Sequence, residues 1–330
     1  MTLTDILICP LCGGELTKNA DVFRCAAGHS YDAARSGYVN LLPPGKGRNK
    51  KTGDERPMIR ARAAFLRRGF YDPADRAAAS LMKNHLPQAP ETGDSPLILC
   101  DMGAGEGTHT AKIAAALADG AGRAVYALGF DASKHGAESG CKYARSLGLF
   151  PSGGDETLPA GSARVVCLPA NLFRLPVKTG AADAALSLFA PIAWEEAARI
   201  LKKDGLFLVI SSGREHLLEL RRVLYDEVRL TDFRPEPAPG APFAPVERTE
   251  IAFSLELENP EDIGNLFAMT PFYHRAPERG REHLAALDRL TVTARMELSL
   301  WRRTEDPPTS EPAPPPDPEA GGPRSCSSAS

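Results

Sequence analysis

The sequence predicts an α/β protein with a doubly wound, mostly parallel sheet, an antiparallel edge strand and a small N-terminal zinc-binding domain. In the middle of the chain, short apolar runs alternate with helical segments, which is typical of a parallel sheet covered by helices. Two later segments alternate apolar and polar residues with period two, as antiparallel strands do. Three cysteines and a histidine lie close together near the N-terminus.

The chain has 330 residues, of which 43% are hydrophobic. At roughly 150 residues per domain, this length favours about two domains with a substantial core. An odd number of cysteines and the lack of a signal peptide argue against a secreted disulfide framework. No apolar run approaches the roughly 20 residues of a membrane helix. We therefore expect a soluble, cytoplasmic protein that does not contact a membrane.

The elements of the middle region follow from their apolar patterns. A run at 98–101 leads into glycines, and the alanine-rich stretch that begins near Thr108 has helical spacing. Ser133 is of the type that caps a helix N-terminus. The predicted strands are 98–101, 124–131, 164–168, 183–188 and 205–210; a further helix is predicted over 194–202, and period-two strands over 251–257 and 290–300.

A glycine loop follows the first of these strands and opens a helix. Its residues are Asp101, Gly103, Gly105 and Gly107, and Asp131 ends the next strand. The third glycine comes one position too early for the dinucleotide fingerprint G-x-G-x-x-G. The pattern D-x-G-x-G-x-G instead resembles the first motif of S-adenosylmethionine-dependent methyltransferases, in which Asp131 would accept hydrogen bonds from ribose hydroxyls. The alternative is a set of turn glycines, with Asp131 capping the following helix.

The N-terminal cluster has the spacing C-x2-C-x12-C-x3-H and consists of Cys9, Cys12, Cys25 and His29. Three thiolates and one imidazole at these intervals form a closed tetrahedral zinc site, which has no open position and is therefore structural. A segment of about 35 residues is too short for its own core, so zinc would stabilise its fold. The alternative is a set of buried, inert cysteines, as we expect for the three cysteines of the middle region.

Charge is distributed unevenly along the chain. The formal net charge is −3, but residues 1–80 contain thirteen Lys and Arg against eight Asp and Glu. Residues 35–76 contain eleven against four, in a basic run at 46–51 and a predicted helix with Arg60, Arg62, Arg67 and Arg68. Such a segment could follow the phosphates of RNA, although a basic run is more often a solvated face.

These features divide the chain into four predicted parts. Residues 1–36 form the zinc-binding, RNA-recognition domain, and residues 37–90 form a basic linker with helices. Residues 91–304 form the domain with the glycine loop, and the Pro- and Ser-rich residues 305–330 form a disordered tail. Low-complexity residues 151–162 predict a surface loop, and the proline-rich residues 235–245 predict a linker.

Taken in order, the motifs resemble those of the 23S rRNA guanine-N1 methyltransferase family over residues 5 to about 303. The stretch Gly37-Tyr-Val-Asn-Leu-Leu-Pro43 beside the zinc ligands is far more specific than the glycine loop. The other matching stretches are Cys9-Pro-Leu-Cys12, Cys25-x-x-x-His29, Arg62-x-x-Phe65-Leu66, Tyr71-x-Pro73, Asp101 to Gly107, Asp131-x-Ser-Lys134, Leu175-Pro176, Ala190-Pro191, His216-Leu-x-Glu-Leu220, Asp226-Glu-Val228 and Met269-Thr-Pro-Phe272.

The resemblance implies a class I methyltransferase domain joined to the zinc domain, structural Zn²⁺, and S-adenosylmethionine as cofactor. It implies a guanine in a hairpin of 23S rRNA as the target, and a homodimer. The implied cofactor contacts are Tyr71, Gly105, Glu106 and His216. Without the resemblance, Tyr71 would be interpreted as a core aromatic residue and His216 as a histidine on a helix face. The sequence does not identify the base that would accept the proton from N1 of the target guanine.

Two other functions compete with rRNA methylation. The same fold could methylate a small molecule or a protein, with the zinc domain as an annex, but the basic linker argues against it. A non-catalytic RNA-binding assembly factor could keep the fold for binding alone. The intact glycine loop with Asp131 disfavours this third function.

Overall fold

The structure is a computed structural model that describes residues 2–43, 54–87, 95–119, 123–150, 158–230 and 233–306. The basic run at 46–51, residues 151–157 of the predicted loop and residues 307–330 of the predicted tail lie outside these ranges. Within the ranges, every helix is too short or too polar to cross a lipid bilayer.

Helices and strands alternate through most of the described chain. The helices are α1 (Leu3–Ile6), α2 (Arg56–Arg67), α3 (Asp72–His85), α4 (Thr108–Ala118), α5 (Lys134–Ser146), α6 (Trp194–Ile200), α7 (Leu218–Leu224), α8 (Pro260–Ala268), α9 (Phe272–Arg275) and α10 (Glu278–Ala285). The strands are β1 (Leu16–Asn19), β2 (Val22–Cys25), β3 (Ser30–Asp32), β4 (Leu97–Met102), β5 (Val125–Asp131), β6 (Ala163–Pro169), β7 (Ala182–Leu188), β8 (Leu201–Ser212), β9 (Phe243–Leu257) and β10 (Leu290–Arg303).

The N-terminal strands form a small antiparallel sheet in the order β1-β2-β3. The chain segments on either side of this sheet are attached to the larger domain by backbone hydrogen bonds. Leu7 pairs with Val177 in an antiparallel bridge, the Ile8 N–H donates to the Pro176 carbonyl at 3.0 Å, and the Leu41 N–H donates to the Pro169 carbonyl at 3.0 Å. Side chains of both parts also belong to one continuous hydrophobic core.

The larger sheet has the strand order β6-β5-β4-β7-β8-β10-β9. Strands β4 to β8 run parallel, and β10 lies antiparallel between β8 and the edge strand β9. The expected class I methyltransferase fold, with its antiparallel edge, is therefore confirmed. The strand order reverses at β4, whose neighbours are β5 and β7, and ligands of open α/β sheets bind at such a reversal, beyond the carboxyl ends of the strands.

The burial of the strands explains why their patterns could be recognised. All residues of β4 are buried, as in a central strand covered on both faces, whereas β9 has an alternating pattern with one exposed face. Cys100, Cys141 and Cys167 are buried on β4, α5 and β6, which confirms the expectation that they belong to the core.

Three local expectations can be compared with the structure. Ser133 caps α5 as predicted, because its hydroxyl accepts a hydrogen bond from the Gly136 N–H at 3.2 Å. The helix predicted over 194–202 ends earlier, at Ile200, because Leu201 pairs with Ala182 and begins β8. The predicted linker 235–245 includes the start of β9, where Pro245 is tolerated because β9 is an edge strand.

Candidate cofactor pocket and metal centre

The glycine loop connects β4 to α4 in left-handed backbone conformations, with φ of +103° at Gly103, +56° at Gly105 and +78° at Gly107. Side chains strain such a backbone. Space is also limiting, since a Cβ atom at Gly103 would lie 2.3 Å from the Cβ of Ala190. The loop thus presents bare backbone at the N-terminus of a helix, where a ligand can approach closely.

Gly103→Ala is expected to lower the free energy of unfolding by about 3 kcal/mol, through backbone strain and the clash with Ala190. It should also weaken binding of S-adenosylhomocysteine at least ~10-fold, because the loop must move. Gly161→Ala is the matched control, since Gly161 has φ of +76° and open space around it. Denaturant unfolding and calorimetric titration measure both effects; equal losses in the two variants would contradict the expected clash.

Asp131 lies at the carboxyl end of β5, beside the glycine loop. Its carboxylate accepts hydrogen bonds from the backbone N–H of Gly105 at 3.0 Å and of Ser133 at 2.7 Å. Burial raises the pKa of Asp131, and the two hydrogen bonds oppose that increase. Each carboxylate oxygen can accept more than one hydrogen bond, so this arrangement leaves capacity for ribose hydroxyls.

Asp101 lies near the end of β4 and is 1% exposed. Its Oδ2 accepts a hydrogen bond from the Thr110 hydroxyl at 2.5 Å, whereas its buried Oδ1 has no partner among the described residues. Burial raises the pKa of Asp101 to about 6. An unpaired buried carboxylate oxygen beside the loop fits a ligand with a cationic donor, and the ammonium group of S-adenosylmethionine is such a donor.

Glu106 is buried, and its carboxylate is already engaged. Oε2 accepts hydrogen bonds from the Thr108 hydroxyl at 2.7 Å and from the Arg67 guanidinium at 3.4 Å. The side chain therefore ties the loop to the first turn of α4 and to α2. Any direct contact of Glu106 with a cofactor would have to compete with these partners or use its backbone.

Tyr71 and His216 are 145 residues apart in sequence, and the structure brings them together. The Tyr71 hydroxyl lies 3.5 Å from Nε2 of His216, and the ring of Phe189 packs against both side chains. Burial lowers the pKa of His216 to about 4, although a hydrogen bond between Nδ1 and the Arg295 carbonyl opposes that decrease. His216 is therefore neutral at neutral pH, and a cationic ligand nearby would meet no like charge from it.

An ion pair that no sequence motif predicts lies beside Tyr71. Nδ1 of His109 lies 2.6 Å from the carboxylate of Asp75, and the His109 ring contacts the Tyr71 ring edge to face at 6.1 Å. Burial alone would lower the pKa of His109, but the Asp75 carboxylate outweighs it and holds the pKa above its usual value. The pair joins the first turns of α3 and α4, so it helps fix the position of Tyr71.

Three of the four arginines of the predicted basic helix form ion pairs within the protein. Arg62 pairs with Asp54 at 2.5 Å, Arg67 pairs with Glu106, and Arg68 pairs with Asp262. Of the four arginines of the predicted basic helix, Arg60 alone is exposed and forms no ion pair within the described part of the chain. The pairs of Arg67 and Arg68 attach the end of α2 to the sheet domain, whereas Arg62 pairs with a residue just before α2. The charge of all three is offset within the protein.

The predicted zinc ligands Cys9, Cys12, Cys25 and His29 converge, with their ligand atoms all within 4.8 Å of one another. Cys9 Sγ and Cys25 Sγ lie 3.5 Å and 3.3 Å from Nδ1 of His29, and the Sγ atoms of Cys12 and Cys25 are 3.6 Å apart. These separations fit a tetrahedral Zn²⁺ site with ordinary Zn–S and Zn–N bonds. The Tyr31 hydroxyl, 3.0 Å from Cys9 Sγ, can donate to that thiolate and orient it.

A groove of about 950 Å³ separates the zinc domain from the N-terminus of α5. Its lining includes His29 and Tyr31 on one side and Lys134 and His135 on the other. Asp54 and Ser133, which also line it, connect the groove to the region of Asp131. A polar groove with aromatic and cationic side chains is suited to a nucleic-acid strand.

A family model and a solved structure are each similar to part of this chain. The family model described as "RlmA, N-terminal", a zinc ribbon, matches residues 7–50. A putative methyltransferase from Bacillus halodurans has a solved structure that is 13% identical, with a TM-score of 0.40 over 70% of this chain and 100% of that chain.

Two curated relatives cover nearly the whole chain. One is the 23S rRNA (guanine(748)-N(1))-methyltransferase of Streptomyces fradiae, 30% identical over 85% of this chain and 90% of the relative. The other is a putative 23S rRNA (guanine-N(1)-)-methyltransferase of Micromonospora griseorubida, 34% identical over 90% of this chain and 97% of the relative. By this likeness over most of both chains, the chain belongs to the family of 23S rRNA (guanine-N1)-methyltransferases.

Proposed function

We propose that the protein transfers the methyl group of S-adenosylmethionine to N1 of a guanine in a hairpin of 23S rRNA. The observation that carries the proposal is the junction at the carboxyl end of β4. There, the glycine loop meets the unpaired Oδ1 of Asp101 and the Tyr71–His216 contact. The relatives that match this chain over nearly its full length are named for the same reaction.

Each cofactor residue has a distinct role in the proposal. Asp101 accepts a hydrogen bond from the cofactor's ammonium group, and Asp131 accepts from its ribose hydroxyls. The backbone of Gly103 to Gly107 lies against the methionine part. Tyr71 and neutral His216 enclose the region of the sulfonium without adding positive charge.

The sulfonium supplies a methyl group that is already activated, so no covalent intermediate with the protein is required. The contribution of the protein is therefore alignment of the nucleophile and exclusion of water. Guanine N1 carries a proton at neutral pH, and this proton must leave before or during the transfer. Buried Tyr71 and half-buried His216 limit the access of water from one side of the site.

RNA recognition is assigned in this proposal to the zinc domain, residues 1–36, and to the groove beside it. Lys134 and His135 stand across that groove from Tyr31. A polyanion bound there would approach the end of β5, where Asp131 lies. The proposal also includes a homodimer, testable by sedimentation, and a cytoplasmic location, where ribosomal RNA is available.

The proposal can be tested with the purified protein, methyl-labelled S-adenosylmethionine, and either protein-free 23S rRNA or assembled subunits. We expect label in a single guanine, mapped by nuclease digestion and by reverse-transcription arrest, since an N1 methyl group blocks base pairing. Label in small molecules or protein alone would instead support the competing methyltransferase function. Cofactor binding without any transfer would support a non-catalytic assembly factor.

A further inference from the structure

Phe189, the residue that follows β7, combines backbone strain with solvent exposure. Its φ is +52°, a left-handed conformation that disfavours a large L side chain, and its N–H is held by the Ile210 carbonyl at 3.0 Å. Yet its ring is 45% exposed. Burial therefore does not explain why a bulky aromatic residue occupies this position, and strained residues of this kind concentrate at functional sites.

The surroundings of Phe189 connect it to the cofactor pocket. Its ring lies 5.7 Å from the His216 ring at an angle of 31°, and 6.3 Å from the Tyr71 ring. The next residue, Ala190, is the neighbour that a Cβ at Gly103 would strike. The ring thus borders the predicted methyl-donor region on one side and solvent on the other, at the carboxyl end of a parallel strand, where ligands bind.

The geometry points to Phe189 as the stacking surface for the target guanine, holding the base with its N1 edge toward the methyl group. This inference rests on the proposed function. A guanine within a hairpin must leave its stack to reach a cofactor, and an aromatic face that restacks it offsets that cost. A stacking face must be exposed in the free protein, which accounts for the exposure, and its fixed position accounts for the tolerated strain.

The left-handed backbone allows a variant that separates this role from a structural one. Phe189→Gly relieves the backbone strain, and this gain offsets the ring contacts with Tyr71 and His216 that are lost. Its melting temperature should therefore stay close to that of the wild type. Its kcat/KM for 23S rRNA should nevertheless fall about 10- to 100-fold, the effect of losing one base–aromatic stack. Phe189→Tyr keeps a stacking face and should retain activity within about 3-fold of the wild type.

Asp204→Gly is the matched control, because Asp204 is also left-handed, with φ of +61°, but lies toward the opposite end of the sheet. It should be stabilised without any change in methylation. Titration with S-adenosylhomocysteine checks that Phe189→Gly still binds the cofactor product within about 3-fold. Equal methylation by Phe189→Gly and the wild type would overturn the inference, as would equal losses in the Gly and Tyr variants. A wild-type protein that does not methylate guanine would instead overturn the proposed function.

Discussion

Cys12→Ser is expected to abolish stoichiometric zinc binding and to reduce methylation of 23S rRNA at least ~100-fold, while leaving cofactor binding within about 3-fold. The reason is that zinc coordination contributes folding free energy to a sheet that has few buried side chains of its own. Among the strand residues, Leu16, Phe23 and Cys25 are buried. The cofactor residues depend instead on the larger sheet.

Cys141→Ala is the control, because Cys141 is a buried cysteine outside the metal cluster. It should retain one zinc per chain. Zinc content is measured by atomic emission, rRNA methylation by label transfer, and cofactor binding by titration with S-adenosylhomocysteine. A zinc-free Cys12→Ser protein with normal rRNA methylation would contradict a role for the zinc domain in RNA recognition.

Asp101→Asn should produce opposite changes in stability and cofactor binding. The native pKa of about 6 lies above the ordinary value of 3.8. The stability contributed by Asp101 is therefore fully present below pH 3.8 and is lost as the pH rises through 6. Two pKa units correspond to about 3 kcal/mol, so the Asn variant should exceed the wild type by up to that amount at pH 7.5.

The same substitution should weaken S-adenosylhomocysteine binding about 10- to 100-fold, since a charge-assisted hydrogen bond to the ammonium group is lost. Urea unfolding of both proteins between pH 4.5 and 7.5 measures the stability difference, which should grow with pH and then level off. Asp204→Asn, which alters an exposed carboxylate far from the glycine loop, is measured in parallel as the control. Lower stability of Asp101→Asn at pH 7.5 would show that the buried carboxylate is satisfied without the cofactor.

The fold could be predicted from sequence because its signals are local. The six buried residues of β4 and the glycines after it are contiguous in sequence, and the Ser133 cap depends on a residue only three positions away. The zinc cluster could also be predicted from the sequence, since its ligands come in two pairs that are each close in sequence. Spacing alone was enough in these cases.

The remaining parts of the site depend on contacts between distant segments. Tyr71 and His216 are far apart in sequence, and it was the family resemblance that brought both into the predicted site. His109 and Asp75 have no motif to connect them, so their pair appeared only with the packing of α3 against α4. The charge of Arg68 is likewise visible in the sequence, but its partner Asp262 lies 194 residues away and could not be predicted.

The backbone hydrogen bonds that Leu7, Ile8 and Leu41 make with residues 169–177 have a further consequence. Because these hydrogen bonds hold the zinc domain against the larger domain, the distance between the zinc domain's surface and the glycine loop is fixed. The protein would then select a guanine by its distance, in nucleotides, from the part of the hairpin that binds the zinc domain. Lengthening the RNA stem by one base pair should shift the methylated position rather than simply reduce the rate.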